Sequence, residues 1–231
     1  MKRFWQIVQV VGEAGQFGVQ LDSRPVKLPS GAALRVQSAA LAEGIAFEWN
    51  AVATNFTPDD LPLTRLASTA QERIAQHRTT IIAQLAAYGM NDLLCYRAAT
   101  PPQLAALEEE KWGVWLRWLE RTHGIALAVT TGLTPIDQPP EARAQFAAIL
   151  DGVSNETIAA LGVIVPTLGS LVLGLALEAG RLDPEGAADL SALDELWQET
   201  QWGRDDEAVA RRANALADVA SADEFMRLSR G

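Results

Sequence analysis

From Thr157 to Leu177 the chain reads TIAALGVIVPTLGSLVLGLAL, 21 residues without a charge. By length alone such a run can cross a bilayer as a helix. Pro166 interrupts it, with Gly162, Gly169 and Gly174 around the proline. The flanks are Glu156 and Glu178, not the Lys/Arg cluster that orients membrane helices. Two buried helices meeting near Pro166, with the proline at or near a helix start, account for the run equally well. The expectation is a core hairpin of a helical domain, without stable membrane insertion. A membrane-associated factor using residues 157–177 is the alternative at this point.

A core of that kind needs a globular frame. The chain has 231 residues, 48% of them hydrophobic, enough for one large domain or two small ones. Its formal net charge of −10 opposes a phosphate backbone, so nucleic acid is not an expected partner. The charge is uneven. Residues 1–37 carry Lys2, Arg3, Arg24, Lys27 and Arg35 against Glu13 and Asp22, a net of +3, which leaves −13 for the rest. A basic head on an acidic body suits recognition of another protein. Cys95 is the sole cysteine, which fits a reducing, cytoplasmic location. The opening MKRFWQIVQVVGEAG lacks the long apolar stretch and cleavage site of a signal peptide and reads as mature sequence.

The pattern predicts an α+β protein: a strand-rich antiparallel N-terminal domain, residues 1–60, and a larger helical domain, residues 61–231. FWQIVQVV, VQLD, VKL and ALRV read as a β-meander. Gly12, Gly15 and Gly18 have G-x-x-G-x-x-G spacing with no helix or Lys-Ser/Thr after them, so they read as a hairpin loop and not a phosphate cradle. Ser38 is the expected cap of a first helix carrying Leu41, Ile45, Glu48 and Trp49. NFTPDDLP is the expected boundary. Ala70, Ile74, His77, Ile81 and Tyr88 form an expected apolar stripe. TPPQ, Thr100 to Gln103, predicts a capping box opening a helix with Trp112, Trp115, Leu116 and Leu119 on one face. A short strand and a Pro-rich turn are expected in GIALAVTTGLTPIDQPP. Asp183 and Pro184 open one helix through Trp202, and SADE, Ser221 to Glu224, predicts a capping box that begins the last.

No catalytic constellation emerges. His77 and His123 are the only histidines, in no metal-binding pattern. His123 precedes Gly124, where a cation suits a helix end. Cys95 has apolar neighbours and reads as a buried, inert thiol. G-x-S-x-G is absent. Carboxylate pairs alone can run acid–base chemistry, but nothing selects a pair. In QETQWGRDDEAVARR, Gly203 ends a helix, Asp205 caps the next, and Asp206 and Glu207 occupy its first turn beside the positive end of the macrodipole. Arg211 stands at i+4 from Glu207, the stabilising orientation.

Taken in order, six segments carry a resemblance: VQLDSRPVKLPSGAALRV, ALAEGIAFEWNA, LPLTRLASTAQERI, DLLCYRAATPPQL, LGSLVLGLALEAG and LDELWQETQWGRDDEA. They resemble the Atp-twelve family, the mitochondrial assembly chaperones for the α subunit of the F-type ATP synthase, and its bacterial relatives. The resemblance runs from about Phe4 to Leu228. It implies a β-containing N-terminal domain, a helical C-terminal domain and a non-enzymatic, cofactor-free chaperone. Its expected partner is the free α subunit, which it hands on to the hexamer, and it is expected to be a monomer. An α subunit awaiting its neighbour exposes apolar interface that aggregates. The family's motifs fall on Arg24, Pro25, Glu48, Trp49, Arg65, Asp92, Tyr96, Arg97, Trp202, Gly203 and Glu207, with Asp206 the alternative at the acidic position. Glu48, Arg65, Arg97, Asp206 and Glu207 are the expected partner contacts. Arg24, Pro25, Trp49, Asp92, Tyr96, Trp202 and Gly203 are the expected scaffold. The competing reading is a small acidic enzyme or ligand-binding protein using a cleft between the two domains.

Overall fold

A computed structural model describes residues 1–132 and 134–231. A small antiparallel sheet comes first and helices follow, the α+β class expected. Strands β1 (Val8–Glu13) and β2 (Gln16–Leu21) pair with Glu13 opposite Gln16, so Ala14 and Gly15 alone make the turn. Both have positive φ, 52° and 80°, as a two-residue type I′ hairpin demands. Of the three glycines read as a loop, Gly12 and Gly18 are therefore strand residues. At Gly18 the guanidinium of Arg35 occupies the space a Cβ would need. Strand β3 (Arg24–Pro25) completes the order β1-β2-β3, and bridges from Lys27 to Ala33 and from Phe17 to Val36 continue the meander.

The Ser38 hydroxyl accepts from the Leu41 amide (3.2 Å) and opens α1 (Ala39–Ala51), as its position predicts. Leu41, Ala42 and Ile45 are buried. Trp5, Trp49 and Phe56 meet edge-on, with centroids 5.1–5.9 Å apart. Both indole N–H groups are used: Trp5 donates to the Trp49 carbonyl (3.2 Å), and Trp49 to the Thr64 hydroxyl (3.0 Å).

Helix α2 (Pro62–Ser68) runs through a π-helical turn, Thr69–Ile74, into α3 (Ala75–Gly89). His77 has non-helical backbone angles (φ −127°, ψ 22°). The expected stripe is corrected here. Ala70, Ile74 and Ile81 are buried, but His77 and Tyr88 are exposed, and Ile82, Leu85 and Ala86 are buried instead. A π turn holds more residues than an α turn, so it shifts the phase of everything after it.

Strand β4 (Tyr96–Arg97) pairs in parallel with β5 (Thr130–Thr131), the short strand expected. The residue at 133 in the expected Pro-rich turn lies outside the described residues. Helix α4 (Pro102–His123) starts after Pro101, and no side chain caps it. The predicted Thr100 capping box is therefore absent, because Thr100 lies one residue too early to reach the first amides. Trp112 and Leu119 are buried on α4, whereas Trp115 and Leu116 are half-buried. Gly124, at φ 69°, ends the helix after His123. Helix α5 (Ala142–Asp151) follows.

The uncharged run forms α6 (Asn155–Leu168) and α7 (Leu171–Glu178). The two helices meet at Gly169, φ 65°, three residues after the proline. Pro166 thus sits in the last turn of α6, not at a start. It is tolerated because it and Gly162, whose carbonyl it leaves unbonded, both lie on an exposed side. Val165 reaches into the space left by the missing Cβ of Gly174, so the two helices approach closely there. No helix among the described residues is long and apolar enough to cross a membrane.

Asp183 caps α8 (Pro184–Ser191) by accepting from the Gly186 amide (2.7 Å). The single helix expected through Trp202 is two, because Ala192 (φ −98°, ψ 15°) separates α8 from α9 (Leu193–Trp202). Helix α10 (Asp206–Ser229) passes straight through Ser221–Glu224. The capping box predicted there starts nothing, since amides in a helix interior already bond to carbonyls four residues back. The chain forms two compact units. One comprises Met1–Arg78, Ser154–Ala160 and Ser221–Gly231; the other comprises Thr79–Val153 and Leu161–Ala220.

Candidate partner-binding site

In the first unit, Glu48 and Trp49 converge on the start of α2. The Glu48 carboxylate accepts from the Leu63 amide (2.5 Å), the Thr64 amide (3.0 Å) and the Thr64 hydroxyl (3.0 Å). It is a helix cap supplied across 15 residues of sequence, where the local cap position, Leu61, has no side-chain acceptor. Burial raises its pKa, the hydrogen bonds oppose this, and the like charge of Glu224 adds to it. Arg65 is exposed and pairs with Asp59 at 2.5 Å, also exposed. Such a pair adds little stability. Arg24 and Pro25 stand on β3, Arg24 exposed.

In the second unit, Asp92 is fully buried. It accepts from the Leu94 amide (3.1 Å), the Ser170 hydroxyl (2.7 Å) and the Val172 amide (3.0 Å). One carboxylate thereby holds the short helical turn Leu93–Cys95 and the start of α7. Burial pushes its pKa up to about 6 against the pull of those hydrogen bonds. The neighbouring Cys95 thiol is buried and pushed up to about 12, first by burial and then by Asp92. It is inert, as its neighbours in sequence predict. Tyr96 is half-buried on β4. Arg97 is buried, donates to the Leu94 carbonyl and to Glu109 (3.2 Å), and lies 5.4 Å from the centre of the Trp112 ring.

One buried acid has no counterpart in the sequence reading. Glu108 accepts from the Ala98 amide (2.6 Å) and is pushed up to about 7 by burial and by the nearby Asp194 carboxyl. Its signal was available: Leu104, Glu108 and Trp112 stand at i, i+4 and i+8, so Glu108 shares an apolar face. The free oxygen of Glu108 and one oxygen of Asp194 are both buried without a hydrogen-bond partner. Burial beside a second acid favours the protonated form of Glu108.

The third group is the corner between α9 and α10. Gly203 ends α9 at φ 94°, ψ 170°, a conformation only glycine holds without strain. Trp202 is 77% exposed, with its ring edge-on to Trp197 at 6.3 Å. Asp205 caps α10: its carboxylate accepts from the Glu207 amide (2.9 Å) and its carbonyl from the Val209 amide (3.0 Å). Arg211 does not pair with Glu207 as its spacing predicts. Its Nη2 donates to both carboxylate oxygens of Glu195 at 2.9 Å, while Arg212 bonds Glu195 (3.2 Å) and Glu199 (2.5 Å). Arg212 holds the same Glu195 carboxylate, so Arg211 joins a charge network in place of a pair with a flexible first-turn side chain. Asp206 is left 97% exposed, with only Arg204 at 3.4 Å. Glu207 makes no ion pair or side-chain hydrogen bond among the described residues. Nor does any group of three or more His, Cys, Asp or Glu among them suit a metal ion.

The family described as ATP12 chaperone protein matches residues 2–120, more than half of the chain. The chain belongs to the ATP12 chaperone family. Members of this family are ATP synthase assembly chaperones. The solved structure of Atp12 from Paracoccus denitrificans is similar over 99% of this chain and 98% of that one, at 38% identity and a TM-score of 0.93. An aspartate-to-lysine mutant of P. denitrificans Atp12p matches over the same shares at 37% identity and the same TM-score. Among curated proteins, mitochondrial protein atp12 of Schizosaccharomyces pombe is 28% identical over 214 residues, 87% of this chain and 74% of the relative. In this family member the residues expected from the motifs divide by burial. Asp92 and Arg97 are committed inside the second unit, and Glu48 and Trp49 anchor α2. Arg65, Trp202, Asp206 and Glu207 face solvent.

Proposed function

We propose that this chain is a non-enzymatic assembly chaperone that holds the free α subunit of the F-type ATP synthase and keeps it from aggregating before the hexamer forms. It does so as a cytoplasmic monomer. Membership of the ATP12 family supports the chaperone class. The observation that carries the surface is the α9–α10 corner, where an exposed indole on a glycine-locked turn stands beside two carboxylates with no essential partner in the chain. Tryptophan is a frequent anchor of binding hot spots, and charges at the rim select the partner. Arg65, exposed beside Asp59, belongs to the same proposal as a partner contact. Glu48 and Arg97 contribute by fixing the elements that carry such contacts.

The test is capture of purified α subunit, released from denaturant, by an equimolar amount of this protein. Light scattering and size exclusion are the readouts. The expected result is suppressed aggregation and a one-to-one complex, weakened roughly tenfold or more by Trp202→Ala and by Asp206→Lys/Glu207→Lys. No complex with the wild-type chain, or equal capture of the β subunit, overturns the reading.

A further inference from the structure

Helix α1 is apolar on two faces. Leu41, Ala42 and Ile45 point into the first unit. Ala40, Gly44, Phe47 and Ala51, at i, i+4, i+7 and i+11, line a groove of about 710 Å³ whose other wall includes Glu224 and Leu228 of α10. Phe47 is 74% exposed on its rim. The floor is closed where the side chains of Leu63 and Leu228 converge on Gly44. A helix apolar on both faces is normally covered on both, and here one face is open.

The rim fixes the chemistry of what covers it. Glu43, Glu48, Asp60 and Glu224 line the groove, and none of its lining residues is basic. Glu48 is committed to the start of α2, and Asp60 accepts from Thr57. Glu43 and Glu224 have no ion-pair partner among the described residues. Arg3, at the end of α1, is bonded to the carbonyls of Asn50 and Val52 instead. Like charge gathered round the groove raises the Glu48 pKa further, since Glu224 adds to the effect of burial. Helices α1 and α10 line the groove together with Val52, Ala53, Asn55 and the start of α2, and an amphipathic helix lays its apolar face into a groove of that kind. Its charge repels anionic lipid and nucleic acid alike.

We propose that this groove takes a cationic amphipathic helix of the protein client, with one large apolar side chain against Phe47 and Leu228 and Lys or Arg side chains one turn away on Glu43 and Glu224. The proposal rests on the reading of this chain as a chaperone of a protein subunit, and adds a second surface and the chemistry of the segment it holds. Helix α1 has 13 residues, about 20 Å, so three to four turns of client helix match it.

The probe is a fluorescein-labelled Leu/Lys amphipathic peptide of about 14 residues, followed by anisotropy on the full chain. Glu43→Lys/Glu224→Lys is expected to weaken it at least tenfold and Phe47→Ser about fivefold, while Glu110→Lys/Glu120→Lys, with the same change in net charge, changes it less than about twofold. Circular dichroism melts confirm that each variant is folded. Equal losses in the two double variants, or equal binding of a Leu/Glu peptide, overturn the proposal. Self-association of the wild-type chain that the groove variant abolishes, read by sedimentation velocity, makes a second copy the occupant and also overturns it. Displacement of the peptide by α subunit supports it; a ternary complex in which both stay bound overturns it. If the groove binds the peptide and the wild-type chain captures no α subunit, the groove stands and the proposed client falls.

Discussion

Helices α7 and α10 each begin beside an aspartate, and these two aspartates have opposite circumstances. The start of α7 lies in the core, where unbonded amides have no water to turn to, and Asp92 arrives from 80 residues away in sequence to satisfy Val172 and Ser170. The start of α10 lies at the surface. Asp205 caps it locally, and the carboxylates of Asp206 and Glu207 are left over. A buried helix start consumes its acid, whereas an exposed one leaves acid to present. The start of α2 is intermediate, with a half-buried Glu48 that both caps and faces a groove.

The comparison ranks the variants. Asp92→Ala strands three buried donors and is expected to lower unfolding free energy by about 3–5 kcal/mol. Urea denaturation measures this, and Asp92→Asn should recover part of it. A loss below about 1 kcal/mol would remove the distinction between the two starts.

The buried acids also predict a pH slope. Asp92 titrates near 6 in the fold against 3.8 as a free side chain, and Glu108 near 7 against 4.5. Between those limits the folded chain holds more protons than the unfolded one, so stability falls as pH rises. His123, lowered by burial, works in the opposite direction, but it is one half-buried group. Moving from pH 6 to pH 8 should cost on the order of 1–2 kcal/mol. Glu108→Gln, which mimics the protonated acid, should flatten the slope and raise stability at pH 8. A profile that rises over this range contradicts the raised ionisation of Asp92 and Glu108.

Glu48→Ala removes a non-local cap and is expected to cost about 1–2 kcal/mol in a thermal or urea melt. The smallest effect belongs to Asp206→Lys/Glu207→Lys, at most about 1 kcal/mol per charge, since only the macrodipole interaction and one exposed pair with Arg204 are lost. A melt lowered as far as that of Asp92→Ala would make these two carboxylates structural.

What was legible in sequence followed distance along the chain. Ser38, Asp183, Asp205 and Gly124 were readable because the cap and the amide or carbonyl it serves are two to four residues apart. The same local grammar misled at Thr100 and Ser221, where packing set the helix limits elsewhere. Pro166 was read as a break, but the break needed the left-handed residue that Gly169 supplies. The π turn at Thr69–Ile74 has no signature in periodicity, and it moved His77 off the apolar stripe. The caps from Glu48 and Asp92 could not be seen at all, since each joins segments far apart. A division into contiguous blocks also has no way to place Ser221–Gly231 with the first unit, where the Ser38 hydroxyl donates to the Leu228 carbonyl (2.6 Å). Of the site, the α9–α10 corner was readable as an exposed helix start, whereas the open face of α1 was hidden because Phe47 looks like any core residue.

The single thiol has a use beyond its inertness. Cys95 is the only cysteine, fully buried, with its ionisation pushed far above neutral pH. An alkylating reagent in solution therefore modifies only those molecules whose second unit has transiently opened. The labelling rate becomes a built-in clock for local opening, one thiol per chain, with no engineered probe. Followed with and without client, it separates a chaperone that is itself tightened by its cargo from one that holds cargo on a frame already closed.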